Sequence, residues 1–322
     1  MKTYRLTKGK IFHGDALEVL KSLPDKCIQC CVTSPPYWGL RDYGVKGQLG
    51  LESTPEEYVE KLTAVFREVR RVLKDDGTLW LNLGDSYSGS GQAWRQKPDI
   101  LSSLQQTNKG SLHCRQSGKP PVNQKVQGLK PKELVGIPWR VAFALQADGW
   151  YLRSDIIWHK SNAMPEPVTD RPTKSHEYIF LFSKSRKYFY DADAIREPHK
   201  EITLKRMRYG WDGNQKQTPR KQSTTVRNTS RMCHPKGANK RTVWTIAKGA
   251  FRGNHFATFP SEIPKTCIKA GSKICDMVLD PFAGSGTTLI ASHKLERSFL
   301  GIELNKRYIT RLFIPALRKS YS

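Results

Sequence analysis

Residues 277–288 read Met277-Val278-Leu279-Asp280-Pro281-Phe282-Ala283-Gly284-Ser285-Gly286-Thr287-Thr288. The first four residues predict a buried strand, the two glycines predict a tight turn, and the residues from Thr287 to Leu295 predict a helix. Glycines let the backbone approach a ligand closely, and the start of the helix directs N–H groups toward it. The pattern is typical of a nucleotide or nucleoside site. A purely structural turn is the alternative for the glycines alone.

The next predicted strand, Ser298 to Glu303, ends in a carboxylate. An acidic side chain at this place accepts hydrogen bonds from ribose hydroxyls in dinucleotide-binding folds. An ordinary carboxylate at the start of a helix is the alternative for Glu303. The glycine spacing differs from Gly-x-Gly-x-x-Gly, and no Gly-Lys-Ser/Thr follows, so neither the NAD motif nor the phosphate-binding loop is present.

Strand and helix patterns also alternate near the start of the chain. The sequence predicts a helix over Ala16–Leu20, a buried strand over Ile28–Thr33, and a strand over Thr78–Leu83. Between these strands, Thr54 can cap a helix that Gly77 ends. Its apolar face consists of Tyr58, Leu62, Phe66, Val69 and Leu73. This alternation predicts an α/β fold with a mostly parallel sheet.

Three more elements follow in the middle of the chain. We expect a helix from Leu134 to Leu145, bent near Pro138, and a strand from Leu152 to Trp158. Residues 178–182 and 187–190 alternate aromatic side chains across a short polar link, which predicts a β-hairpin.

The loop Thr33-Ser34-Pro35-Pro36-Tyr37-Trp38 follows a predicted strand, where open α/β sheets bind ligands. The prolines stiffen the loop and leave carbonyl groups to accept hydrogen bonds, which suits an amino group. Tyr37 and Trp38 could stack on a base that has left its duplex. A proline-rich turn with two packing aromatic residues is the alternative.

The charge indicates a polyanionic partner. The 322 residues include 54 Lys and Arg against 29 Asp and Glu, a net charge of +25. A membrane surface is the competing partner, but we find no amphipathic helix or lipidation motif. No apolar run approaches the roughly 20 residues of a membrane span, and no apolar signal region follows Met1. We therefore expect a cytoplasmic protein, associated with the nucleoid or encoded by a virus.

The cysteines predict neither disulfides nor a metal site. Seven cysteines, an odd number, do not form a disulfide framework in a chain of this length. Cys27, Cys30 and Cys31 resemble half of a zinc site, but no second Cys/His pair has ligand spacing. We interpret them as buried cysteines of a strand and expect no metal.

Two basic segments interrupt the regular pattern. Residues 88–130 are rich in Gly, Ser, Gln and Lys, and we expect a mobile insertion. Residues 200–254 are the most basic part of the chain and contain several aromatic side chains. The residues there that could neutralise phosphates or reach guanine edges are Lys205, Arg206, Arg208, Arg220, Lys221, Arg227, Arg231, Lys240 and Arg241. A solvated basic segment is the alternative, and we expect it for at least half of them.

The two loops together resemble a known family. Ser-Pro-Pro-Tyr at 34–37 with Asp-Pro-Phe-x-Gly-Ser-Gly-Thr-Thr at 280–288 is similar to the paired signature of DNA amino-methyltransferases, in their permuted β group, where the catalytic loop comes first. Further matches are Gly14-Asp15, Trp158-His159-Lys160, Arg171-Pro172, His176-Glu177 and residues 255–260. The resemblance implies a Rossmann-like S-adenosylmethionine-dependent methyltransferase fold. Residues 1–199 would form its catalytic part, 200–254 the target-recognition region, and 255–322 the cofactor-binding part.

The resemblance also implies roles for individual residues. Ser34, Pro35, Pro36 and Tyr37 would form the catalytic loop. S-adenosylmethionine would lie against Phe282, Gly284, Gly286 and Thr287, with Asp280 opening the loop, Glu303 at the ribose and Asp15 near the adenine. Thr258, Phe259 and Pro260 would close the pocket. Asp15 could instead only cap the helix that begins at Ala16.

The expected reaction is methylation of an exocyclic amine. Hydrogen bonds from that amine to Ser34 Oγ and the Pro35 carbonyl would let its nitrogen attack the sulfonium methyl, and the hydroxyl could also donate to cytosine N3. No cysteine lies in a Pro-Cys loop, which excludes C5-cytosine chemistry.

Serine at position 34 resembles the N4-cytosine members, whereas N6-adenine members more often carry Asp or Asn. We therefore predict site-specific methylation of cytosine N4 in duplex DNA. The alternatives are an N6-adenine enzyme, a methyltransferase of RNA or protein amines, and an inactive DNA-binding protein. A cognate restriction endonuclease is a candidate partner, and the chain would act as a monomer or homodimer.

Overall fold

A single mixed sheet forms the centre of the protein. The structure, a computed structural model, describes residues 2–89, 126–208, 234–248 and 259–319, without the side chains of 206–208. Within these ranges the strands are β1 (Lys2–Leu6), β2 (Gly9–His13), β3 (Ile28–Thr33), β4 (Leu73–Leu83), β5 (Tyr151–His159), β6 (His176–Ser183), β7 (Val243–Thr245), β8 (Met277–Asp280) and β9 (Ser298–Glu303).

Helices follow most of these strands. They are α1 (Ala16–Lys21), α2 (Pro55–Val72), α3 (Ile137–Ala147), α4 (Glu201–Arg208), α5 (Glu262–Gly271), α6 (Thr287–Lys294), α7 (Lys306–Tyr308) and α8 (Ile314–Lys319). A π-helical turn, Ile309–Phe313, joins the last two.

The strand order is β1-β2-β9-β8-β3-β4-β6-β5-β7. The five strands from β2 to β4 in this order run parallel, β1 and β6 are antiparallel to their neighbours, and β7 is parallel to β5. The expected α/β fold with a mostly parallel sheet is therefore confirmed. The carboxyl ends of β2, β9, β8, β3 and β4 meet at one edge, together with the amino end of β6. We call it the carboxyl edge.

The local signals of α2 explain its start. Thr54 Oγ1 accepts a hydrogen bond from the Glu57 backbone N–H at 3.2 Å, and Pro55 occupies the first turn. The expected apolar face is buried against the sheet. The helix ends at Val72, however, and β4 already begins at Leu73, so the expected stop at Gly77 is wrong. Leu73 pairs with Ile28 of β3, and this pairing takes the backbone out of the helix.

Two other expectations are corrected. Pro138 lies in the first turn of α3, so it begins the helix instead of bending it, because a proline lacks the N–H that the first turn leaves unpaired. The hairpin of residues 178–182 and 187–190 is wrong, because β6 pairs with β4 and β5. Residues 187–190 form no strand.

The aromatic residues that suggested this hairpin pack by their rings. Tyr190 stacks on the buried Trp80 of β4, with ring centroids 6.4 Å apart. Trp244 of β7 lies 6.4 Å from the same indole. Two chain positions more than fifty residues apart in the sequence are therefore held by one side chain.

The chain divides into two compact units. One comprises residues 1–190 and 242–322, and the other comprises residues 191–241. In the second unit, Arg196 donates to the Gly237 carbonyl at 3.1 Å and to Asn239 Oδ1 at 2.7 Å. The backbones of Glu197 and Ala238 pair there as well. The recognition role of residues 200–254 stays a prediction.

Membrane insertion of a helix finds no support in the described ranges, where none is long and apolar enough to span a bilayer. The expected insertion at 88–130 lies mostly outside the described residues, which omit 90–125.

Replacing Thr54 with alanine tests the start of α2. We expect Thr54→Ala to lower the free energy of unfolding by about 1 kcal/mol, because the Glu57 N–H loses its acceptor. Urea unfolding followed by circular dichroism measures the change. The matched control is Thr63→Ala in the middle of the same helix, which we expect to be neutral or slightly stabilising. Equal losses in the two variants would contradict the capping role.

Candidate active site

The sheet brings the two motif-bearing loops together at the carboxyl edge. Strands β3 and β8 are neighbours, with Cys31 opposite Leu279, so the loop that follows Thr33 lies beside the loop that follows Asp280. Strand β9 places Glu303 next in order, opposite His13 of β2. Open α/β sheets bind their ligands at such an edge.

One buried hydrogen bond joins the two loops. Thr33 Oγ1 donates to Asp280 Oδ1 at 2.7 Å, and both residues are at most 2% exposed. The Phe282 backbone N–H donates to the same oxygen at 3.0 Å. Burial raises the pKa of Asp280 to about 6, against the lowering effect of hydroxyls from Thr33 and Thr288. Asp280 therefore braces the loops to each other.

Glu303 is tied to the glycine turn. Its Oε2 accepts from the Gly284 N–H at 2.7 Å, and its Oε1 accepts from the Asn305 N–H at 2.7 Å. Burial raises the pKa of Glu303 to about 7, although these backbone donors lower it. A carboxylate held in this way retains lone pairs that can accept further hydrogen bonds.

A cavity of about 430 Å³ opens between the two loops. Its lining residues include Asp15, Ser34, Phe282, Gly284 and Glu303. The wall combines three carboxylates, three hydroxyl-bearing side chains, the Lys61 amine and the ring of Phe282, together with apolar side chains of α1 and α2. This set of groups fits a nucleoside that carries a sulfonium-containing amino-acid chain, because the acids can accept from sugar hydroxyls and an amine.

The segment 43–52 forms another wall of the cavity. Glu52 is 5% exposed and accepts from the Gly50 N–H at 2.8 Å, while its backbone carbonyl accepts from the Trp38 indole at 3.0 Å. Gln48 Oε1 accepts from the Tyr43 N–H at 2.7 Å. These contacts fold the segment back onto the catalytic loop.

A hydrogen bond from α2 holds the loop of residues 34–37 in place. The Tyr58 hydroxyl of α2 donates to the Pro36 carbonyl at 2.8 Å. Trp38 is 2% exposed and belongs to the core, so its expected role as a stacking face is wrong. Its indole N–H needs the Glu52 carbonyl as a partner, and that need draws the ring inward.

The ring of Tyr37 packs against the Gly84 backbone, where an added Cβ would lie 2.6 Å from Tyr37 Cε2. The Tyr37 hydroxyl donates to Glu177 Oε2 at 2.7 Å and lies 3.3 Å from Ser34 Oγ. Glu177 also forms an ion pair with Lys160. Both ends of Tyr37 are thus fixed.

The comparison with protein families decides the identity. A family model described as DNA methylase, of the N6/N4 type, matches residues 28–313, which include both loops and most of the residues that line the cavity. This protein belongs to the N6/N4 DNA methylase family.

Known relatives agree over most of their length. The Type II methyltransferase M.SmaI of Serratia marcescens is 47% identical over 303 residues, covering 94% of this chain and 89% of the relative. M.Cfr9I of Citrobacter freundii is 45% identical over 304 residues, covering 94% and 86%. This DNA methylase is therefore an S-adenosylmethionine-dependent amino-methyltransferase of DNA.

Solved structures share the fold. PvuII DNA methyltransferase, described as cytosine-N4-specific, has a TM-score of 0.59 at 17% identity, covering 98% of this chain and 92% of that one. A Thermus thermophilus protein complexed with S-adenosyl-L-methionine has a TM-score of 0.56 at 24% identity, covering 96% and 93%. The Rossmann-like methyltransferase fold is confirmed.

Only some of the expected cofactor residues of this DNA methylase line the cavity. Asp15 lines the cavity and also caps α1, where its Oδ1 accepts from the Glu18 N–H at 3.1 Å. Asp280, Gly286 and Thr287 are not among the lining residues. Gly286 has φ +84°, and an added Cβ would lie 2.0 Å from the Phe313 ring. Packing alone therefore requires this glycine.

Other expected residues lie at the limits of the description. Thr258 is outside the described residues, whereas Phe259 and Pro260 precede α5 without lining the cavity. Pro35 is buried beside Ser34. The cofactor and catalytic roles of all these residues stay predictions.

Each expected DNA-binding side chain that is described has an acidic neighbour. Lys205 lies 2.9 Å from Glu201, whereas Lys240 and Arg241 lie 3.1 Å and 3.8 Å from Glu197. The Lys205 pair is exposed and contributes little stability, whereas the Lys240 pair is partly buried. The side chains of Arg206, Arg208, Arg220, Lys221, Arg227 and Arg231 lie outside the described residues.

Two of the three clustered cysteines of this DNA methylase are buried strand residues, as expected. Cys30 and Cys31 are fully buried in β3, whereas Cys27 lies just before the strand and is only partly buried, so the expectation is wrong for Cys27. Burial raises the pKa of the Cys30 thiol to about 12. Across the described part of the chain, no cluster of three or more His, Cys, Asp or Glu side chains could hold a metal ion.

Sequence patterns assigned no role to the polar groups behind Tyr37. Glu177 and Lys160 carry only their family match, and Asn82 and Gly84 were assigned only to the predicted strand that begins at Thr78 and to the family match of residues 77–85. All four lie at the carboxyl edge because β4, β5 and β6 end or begin there. The position of Glu177 at the amino end of an aromatic strand was the available clue.

Replacing Thr33 with valine tests the brace between the loops. We expect Thr33→Val to lower the free energy of unfolding by about 1–3 kcal/mol at pH 8, because the buried Asp280 carboxylate loses a donor. The folded pKa of Asp280 is above its unfolded value, so protonation favours folding as pH falls through about 6. The deficit should therefore shrink at pH 5.

Urea unfolding at both pH values measures this deficit. The matched control is Thr266→Val in α5, whose hydroxyl bonds only to the Glu262 carbonyl of its own helix, and we expect a change below about 0.5 kcal/mol. A deficit that is independent of pH would refute the role given to Asp280.

Proposed function

We propose that this DNA methylase transfers the methyl group of S-adenosylmethionine to the exocyclic N4 amino group of cytosine in duplex DNA. The observation that carries the proposal is the serine at position 34, which borders the same cavity as Phe282, Gly284 and Glu303. N4-cytosine members of the family resemble it there, whereas N6-adenine members more often carry Asp or Asn. The name of the PvuII enzyme agrees with this choice of base.

The groups that line the cavity support one orientation of the cofactor in this proposal. Glu303 would accept hydrogen bonds from the ribose hydroxyls, Asp15 would lie near the adenine, and Phe282 would pack against the methionine chain. The apolar residues of the wall exclude water around these contacts. S-adenosylmethionine then supplies a methyl group on a positively charged sulfur.

The catalytic loop would prepare the amine. An exocyclic amino group is a weak nucleophile because its lone pair is delocalised into the ring. Hydrogen bonds from its two N–H groups to Ser34 Oγ and the Pro35 carbonyl would turn the nitrogen lone pair toward the methyl group. Tyr37 would support the extruded base, and this role requires a fixed ring.

DNA binding would rest on the basic character of the chain. The net charge of +25 suits a phosphate backbone, and neutralising six or more phosphates would make affinity fall steeply with salt. The relatives named as Type II methyltransferases support a role in restriction and modification, with an endonuclease of the same specificity as a partner. In such a role the protein would act on DNA in the cytoplasm.

Identification of the methylated nucleoside tests the proposal. The purified protein is incubated with labelled S-adenosylmethionine and mixed-sequence duplex DNA or RNA, and the nucleosides are separated by chromatography. We expect label in N4-methylcytosine from DNA. Label in N6-methyladenine would keep the family assignment and refute the choice of base, whereas label only from RNA would refute the choice of polymer.

The same assay on a Ser34 variant tests the role of the serine hydroxyl. Ser34→Ala should lose about 100-fold or more in methyl transfer, because one acceptor of the amine is gone, while its affinity for S-adenosylmethionine stays unchanged. Absence of label from the wild-type protein, with cofactor binding intact, would favour the inactive DNA-binding alternative. Plasmid methylated by the wild type is then challenged with Type II endonucleases, and blocked cleavage identifies the recognition sequence.

The pKa of Glu303 predicts a pH-dependent cofactor affinity. The ionised carboxylate accepts from hydroxyls, and with a pKa of about 7 it is mostly ionised at pH 8 and mostly protonated at pH 6. The dissociation constant for S-adenosylmethionine should therefore rise about tenfold from pH 8 to pH 6. Calorimetry of the wild type and Glu303→Gln separates this effect from titration of the ligand, because the variant should bind weakly with a flatter profile.

The control for this measurement is Glu262→Gln, which replaces an exposed carboxylate of α5. It should keep the wild-type profile. Identical pH profiles for the wild type and Glu303→Gln would show that Glu303 does not contact the ribose.

A further inference from the structure

Ser34, Tyr37 and Glu177 form a hydrogen-bonded chain that leads away from the cavity. Ser34 Oγ lies 3.3 Å from the Tyr37 hydroxyl, and this hydroxyl lies 2.7 Å from Glu177 Oε2. Ser34 borders the cavity, whereas Glu177, the second residue of β6, is not among its lining residues. The carboxylate is 140 residues from Tyr37 in the sequence, so only the sheet brings them together.

Counting the protons fixes the direction of every bond in the chain. An ionised carboxylate only accepts, and Asn82 Oδ1, which lies 3.1 Å from the Tyr37 hydroxyl, also only accepts. The single phenolic proton of Tyr37 therefore points to one of these two acceptors, of which Glu177 Oε2 is the closer and carries the charge. The Tyr37 oxygen can then only accept from Ser34. The proton of the Ser34 hydroxyl is therefore directed at Tyr37, and the remaining lone pairs of Oγ face the cavity.

Two neighbours, Lys160 and Asn82, donate hydrogen bonds to the Glu177 carboxylate. Lys160 forms an ion pair with Oε1, and their side chains are only 11% and 15% exposed. The Asn82 amide donates to Oε2 at 3.2 Å and to the Tyr178 carbonyl at 3.0 Å. These donors balance the charge of a partly buried carboxylate and occupy both of its oxygens.

We propose that Glu177 is a positioning residue that makes Ser34 an obligate hydrogen-bond acceptor toward the amino group of the target base. A serine hydroxyl alone has no fixed polarity, because it can donate as readily as it accepts. The carboxylate imposes the polarity through Tyr37, so that Ser34 presents lone pairs as an aspartate or asparagine oxygen would. Ser34 then does not donate to a ring nitrogen of the base.

This inference rests on the proposed function, in which Ser34 Oγ accepts from the amine, and it explains how serine performs that task. It also gives Tyr37 a second role. Its ring is held against Gly84 by packing, and its hydroxyl transmits the orientation from Glu177.

The test is a double-mutant cycle on the rate constant of methyl transfer in a single turnover. Glu177→Gln introduces an amide that can donate to Tyr37 and reverse the chain, whereas Tyr37→Phe removes the link. We expect each variant to lose about 10- to 100-fold in rate, with unchanged affinity for S-adenosylmethionine. The double variant should be no more than about 3-fold slower than the slower single variant, because Glu177 acts only through Tyr37.

The matched control is Tyr58→Phe, which removes another hydroxyl that holds the same loop but lies outside the chain. Its effect should multiply with that of Glu177→Gln. A loss in Glu177→Gln/Tyr37→Phe equal to the product of the single losses would overturn the inference, as would an unchanged rate in Glu177→Gln.

A second cycle covers the case in which Glu177→Gln does not fold because Lys160 loses its partner. Tyr37→Phe keeps that ion pair, and in a Ser34→Ala background it should change the residual rate by less than about 3-fold. A further loss of 10-fold or more would mean that Tyr37 acts independently of Ser34 and would overturn the inference. The labelled nucleoside of the wild type is measured separately, so failure of the choice of base remains distinguishable from failure of this chain.

Discussion

The parallel pairing of β3 with β8 is the constraint on which the site depends. It brings together two loops whose braced residues, Thr33 and Asp280, are 247 positions apart in the chain. A second contact crosses the same junction, from the Thr288 hydroxyl to the Val32 carbonyl at 3.3 Å. Both bonds are buried, so each costs desolvation unless its partner is present, and any shift between the strands leaves polar groups unpaired. The two motif-bearing loops therefore keep one relative position.

Buried acids occur at the carboxyl edge for opposite reasons. Asp280 faces inward and is satisfied by the protein, so its raised pKa reflects the cost of holding a charge between two strands. Glu303 is satisfied only in part by backbone donors and faces the cavity, where a ligand can complete its hydrogen bonds. Groups with perturbed pKa values cluster at functional sites, and the direction of the side chain distinguishes a structural group from a binding group.

Local signals predicted those parts of the fold that depend on neighbours in the sequence. The cap at Thr54 and the glycine turn after Asp280 require only residues a few positions away. The prediction of a strand over residues 187–190 was wrong, because an alternating aromatic pattern also arises when a side chain such as Tyr190 packs on Trp80. Trp38 was expected to stack on a base because its actual partner, the Glu52 carbonyl, lies in a segment where the sequence predicts no strand or helix. The hydrogen bonds from Ser34 through Tyr37 to Glu177 could not be predicted from the sequence, because Glu177 is distant from Tyr37 in the chain and only the sheet brings them together.

Trp80 holds both ends of the segment that contains the second compact unit. Tyr190 is the last residue before the second compact unit, and Trp244 follows closely after it, so one indole fixes both ends of the intervening segment. The entropy of closing a loop grows only slowly with its length once the ends are fixed. Insertions, deletions or wholesale exchange of that segment therefore place little strain on the sheet. Trp80 holds the two ends of this segment whatever its length, so a change within it leaves the pairing of β3 with β8 at the carboxyl edge intact.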